Sequence, residues 1–76
     1  MNELQERILT LEVLVKNYKK ELRRVKTTVN KLEKLGLSIP SEILFKKENI
    51  EVELKDYKQE LKVLKKVVQL LNNIEG

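Results

Sequence analysis

The chain has 76 residues, 16 Lys and Arg against 12 Asp and Glu, a net charge of +4, and neither Cys nor His. A chain this short forms one small domain with a modest core; lack of Cys excludes disulfides, and lack of both residues removes the ligands of zinc and most other transition metals. The commonest general acid–base side chain is also missing, no Ser or Cys triad can be assembled, and the glycines stand alone, so neither an enzyme nor a cofactor is expected.

The first seven residues, Met1 to Arg7, are polar and charged almost throughout and lack the apolar core of a signal peptide. The longest uncharged stretches, such as Val67 to Ile74, are far too short to span a bilayer. A cytoplasmic chain with no membrane partner is the expectation.

The first element is a helix over about 2–35. Leu4, Leu11, Tyr18, Val25 and Leu32 recur every seven residues, and Ile8, Val15, Leu22 and Val29 form an interleaved series. With the first series at d and the second at a, the apolar seam is unbroken through Leu32, and nothing alternates with the period of two that a strand requires. The turn is expected over about 36–40. Gly36 suits the left-handed residue that ends a helix, Pro40 suits a first helical turn, and Ser38 is a candidate N-cap. The second helix spans about 41–74, with Ile43, Ile50, Tyr57, Leu64 and Leu71 at d and Leu54, Leu61 and Val68 at a. Lys47 is its single polar intrusion.

Two such helices joined by about five residues predict an all-α, antiparallel, coiled-coil-like hairpin over 1–76. Tyr18 and Tyr57 are expected at the same height in the seam as bulky filling, and Phe45 is expected to fold over the last turn of the first helix. The start at Met1 and the clean ending predict a complete small protein.

The hairpin has two unlike sides. On the e/b side, Lys16, Lys19, Arg23 and Lys26 of the first helix join Lys55, Lys58, Lys62 and Lys65 of the second in a basic ribbon. Glu12, Glu33 and Glu51 interrupt it at e positions and are expected to pair across the helices with Lys65 and Lys26. On the g/c side, Leu14 and the i, i+4, i+7, i+11 series Val63, Val67, Leu70 and Ile74 make a second apolar stripe outside the seam. A stripe of this kind on a chain with a thin core predicts self-association into a four-helix bundle, with a homodimer as the expected form and docking onto a different protein as the alternative. Glu53, Asp56 and Glu60 share one helical face and are read as solvated rather than as a cation site.

Three functions follow. The leading one is a non-enzymatic interaction module, a homo-oligomeric hairpin that scaffolds or regulates another macromolecule. The second is nucleic-acid binding through the lysine ribbon, in an architecture similar to the plasmid RNA-pairing regulators that are dimers of helical hairpins. The third is a coiled-coil arm of a larger assembly. The turn region, with Gly36-Leu37, Leu44, Leu54 and Tyr57, also resembles small sporulation-control phosphatases. Their defining Ser-Gln-Glu-Leu-Asp stretch is replaced here by Lys46-Lys47-Glu48-Asn49-Ile50, and no phosphatase activity is carried over.

Overall fold

The computed structural model describes residues 2–75, with backbone alone for Glu75. Two helices, α1 (Glu3–Lys34) and α2 (Ser41–Glu75), account for almost all of it, and no strand is present among the described residues. At a rise of 1.5 Å per residue these helices run about 48 and 53 Å, consistent with a rod of 59 × 17 × 16 Å. Arg7 pairs with Glu60, Tyr18 stacks on Tyr57, and Glu21 pairs with Lys46. Contacts therefore recede along α2 as the chain advances along α1.

Each helix end has a local cause. Asn2 caps α1: its side-chain oxygen accepts from the Gln5 N–H at 2.8 Å, satisfying one of the donors that a helix start leaves free. At the other end, Gly36 adopts φ 71°, as its position predicts. Its N–H donates to the Glu33 carbonyl, and the Leu37 N–H donates to the Leu32 carbonyl. This paired arrangement is the Schellman closure, and it stops α1 cleanly. The cap of α2 differs from expectation. Ser38 lies outside the helix, which begins at Ser41, and the Pro40 carbonyl accepts from the N–H groups of Ile43 and Leu44. Proline has no N–H to lose at such a boundary, so it fits immediately before the first turn.

The seam holds along nearly its whole length. Leu11, Val15, Val25, Val29, Ile50 and Leu54 are buried, all at a or d positions, and Leu11 has no exposed surface. Tyr18, Leu22, Ile39 and Ile43 pack around Val25, Val29 and Ile50. The two tyrosine rings lie 5.4 Å apart and 25° from parallel, an offset stack at mid-seam. The exception is Leu71, which is 44% exposed. With Tyr18 level with Tyr57, Leu71 stands opposite Leu4 in the first turn of α1. The end of α2 beyond it has no α1 residue to cover it.

The turn corrects a second expectation. Ile39 does reach the core, but Phe45 occupies an f position on the outer face of α2 and is 66% exposed, so it does not fold over α1. Leu35, Leu37 and Leu44 are likewise exposed.

Candidate interaction surfaces

The apolar stripe is built by heptad geometry. Positions c and g lie beside the seam on one flank of α2, so Val63, Val67, Leu70 and Ile74 form one line while a and d face α1. Val63 and Leu70 are about half exposed, Val67 is 37% exposed and Ile74 81%. Leu14, grouped with them from the sequence, is half-buried and contributes only an edge. Leu71 adds to the same open end. Leu9 and Val13 of α1 and Val52 of α2 are also exposed, on b and f faces that a seam-centred reading leaves out. Their signal in the sequence is plain in retrospect: aliphatic residues at outer positions where Lys or Glu would be expected.

Further along the same flank, the apolar line gives way to paired charges. The Arg7 guanidinium donates to Glu60 through Nε at 2.7 Å and Nη2 at 3.2 Å, and Lys46 lies 3.2 Å from Glu21. All four are g residues, so the cross-helix ion pairs sit on the g side. The expected e-side pairs of Glu12, Glu33 and Glu51 with Lys65 and Lys26 do not form; Glu51 pairs with Lys47 within α2 instead. Arg7 holds the Glu60 carboxyl below its ordinary range, and Glu60 in turn raises the Arg7 guanidinium. The Tyr18 phenol is pushed up to about 12, first by the Glu53 carboxylate beside its hydroxyl and then by desolvation. No group of three or more acidic side chains among the described residues is arranged to hold a metal ion, and Glu60 is engaged by Arg7.

The opposite, e/b side is a shallow groove with cationic walls. Lys19, Arg23 and Lys26 from α1 and Lys55, Lys58, Lys62 and Lys65 from α2 line it, with Glu51 and Gln59 among the α2 residues. Val15, Leu22, Leu54 and Leu61 form the floor. Lys16 lies on the same ribbon just outside the lining. All eight cations are exposed, and none enters an ion pair among the described residues. Lys19 and Lys58 line the same stretch of groove from opposite helices.

No helix among the described residues is long and apolar enough to cross a membrane. Compared with known proteins, the chain matches no family model, no curated protein and no solved structure.

Proposed function

We propose that this chain is a non-enzymatic interaction module, an antiparallel hairpin that pairs with a second copy of itself into a four-helix bundle and presents the remaining surface to another macromolecule. The observation that carries this reading is the exposed line of Val63, Val67, Leu70 and Ile74 beside an already closed seam. Water leaves such a line at a gain of roughly 25 cal/mol per Å² covered. A second copy suits the stripe because an isologous contact sets a patch against itself. The four residues are uncharged, so self-apposition brings no like charges together, and the neighbouring Arg7–Glu60 and Lys46–Glu21 pairs are of mixed sign. Supporting the antiparallel arrangement, Arg7 near the start of α1 reaches Glu60, while Glu21 further along reaches Lys46 nearer the turn.

Sedimentation of the wild-type chain and of a Val63→Glu/Val67→Glu variant tests the proposal. Wild type sediments as a dimer at tens of micromolar, and the variant as a monomer that keeps most of its helicity. A wild-type monomer at that concentration would overturn it.

A further inference from the structure

We infer that the e/b groove binds the phosphate backbone of double-stranded nucleic acid. The inference stands apart from self-association, which uses the other flank and leaves the groove outside.

Three observations carry it. The first is charge density. Lys16, Lys19, Arg23 and Lys26 span eleven residues of α1, and Lys55, Lys58, Lys62 and Lys65 span eleven of α2. With Tyr18 level with Tyr57, Lys65 stands opposite Thr10 and Lys55 opposite Lys20, so at 1.5 Å per residue the two runs overlap in part and the eight cations occupy about 24 Å of axis, one per about 3 Å. Duplex DNA carries one phosphate per about 3.4 Å of axis on each strand, so the ribbon's spacing is close to that of a strand it lies along. An acidic face of a single protein helix presents side chains only every three or four residues, about 5 Å, and falls well short.

The second is that none of these cations forms an ion pair among the described residues, although Glu51 shares the groove. The acids that form ion pairs across the helices, Glu21 and Glu60, lie on the far flank, and Glu51 is taken by Lys47 at the turn end of the groove. Lys19 and Lys58 converge on one stretch of groove with no carboxylate between them among its lining residues. Like charges held together in this way repel until an anion enters. A row of phosphates supplies one at each step.

The third concerns shape and aromatics. A rod 17 × 16 Å across is too thick to enter a major groove about 12 Å wide, which admits a single helix. It lies along the backbone instead. Single-strand binders add bases stacked on aromatic rings, and here Tyr18 and Tyr57 stack on each other inside the seam while Phe45 sits on an outer face. Attraction therefore rests on phosphates alone, which favours the denser duplex and carries no base preference.

Fluorescence polarisation with a short labelled duplex of mixed sequence tests the inference. If half of the eight cations neutralise phosphates, log affinity falls against log salt with a slope near −3.6, a loss of about 100-fold between about 50 and about 200 mM salt. Lys19→Glu/Lys58→Glu lowers duplex affinity at least about tenfold with helicity unchanged. Lys20→Glu/Lys66→Glu alters net charge equally on outer f positions and has a much smaller effect. Three results would each overturn the assignment: no binding at the lowest salt, equal losses in the two double variants, or polyglutamate displacing the duplex as well as unlabelled duplex does.

Discussion

Leu11 and Leu71 are the same residue type at the same heptad position, yet Leu11 is fully buried and Leu71 is 44% exposed. Truncating each to Ala isolates what packing adds to pattern. Leu11→Ala removes a side chain with no route for water to refill the space, and such changes cost about 2–5 kcal/mol, transfer and cavity together. Leu71→Ala forfeits a little over half of a transfer gain of about 1.5–3 kcal/mol and leaves no enclosed cavity, so its cost is about 1 kcal/mol. A chain of this length has a total stability of about 4–11 kcal/mol. Leu11→Ala therefore takes away a large share of it. With a urea slope of about 1 kcal/mol/M, the midpoint falls by about 3 M for Leu11→Ala and about 1 M for Leu71→Ala. The assay is urea unfolding followed by helical circular dichroism, at protein concentrations where sedimentation gives a monomer. A Leu11→Ala shift no larger than that of Leu71→Ala would refute the seam. Raising the protein concentration narrows the gap between the two: if the open end is covered by a second copy, the cost at Leu71 grows while that at Leu11 does not.

Other expectations follow from particular contacts. Gly36→Ala lowers stability by about 1–2 kcal/mol in the same urea assay, because the left-handed φ of 71° strains a side chain even though nothing lies within 4 Å of the added methyl. Arg7→Gln leaves stability unchanged at strongly acidic pH but lowers it near neutrality. The Glu60 carboxyl is held down by Arg7, so its contribution is present above the unfolded Glu value of about 4.3 and disappears as pH falls through the lower folded value. Added salt shrinks the difference, since the pair is solvent-exposed. Ultraviolet titration of the folded chain gives one tyrosine ionising at about 12. Glu53→Gln returns that ionisation towards 10, the ordinary tyrosine value. Because the folded state holds the Tyr18 proton more tightly, the associated stability is complete below pH 10 and declines as pH climbs towards about 12.

Much of the candidate interaction surface was legible from spacing. A period of seven assigns every residue to a flank, so the eight cations of the e/b ribbon and the Val63-to-Ile74 stripe could be placed before any packing was known. Their exposure follows from the same arithmetic, since b, c, e and g positions cannot all reach the partner helix. Leu14 is the instructive failure. As a g residue it belongs to the right flank, but its neighbours in space half-cover it.

By itself, then, the order of residues determined two amphipathic rods, the break at Gly36 and Pro40, and the identity of each rod's oily and charged flanks, all products of local geometry and φ preference. Only the tertiary structure decided how far one rod slides along the other, because neighbouring alignments bury much the same set of side chains. That alignment stacks Tyr18 on Tyr57, sends Arg7 to Glu60 rather than setting Glu12 against Lys65, and leaves Ile74 past the start of α1 with Leu71 exposed at its edge. Axial register is a long-range quantity, settled by the sum of contacts across the seam together with the span of the turn, and no short window of sequence contains it.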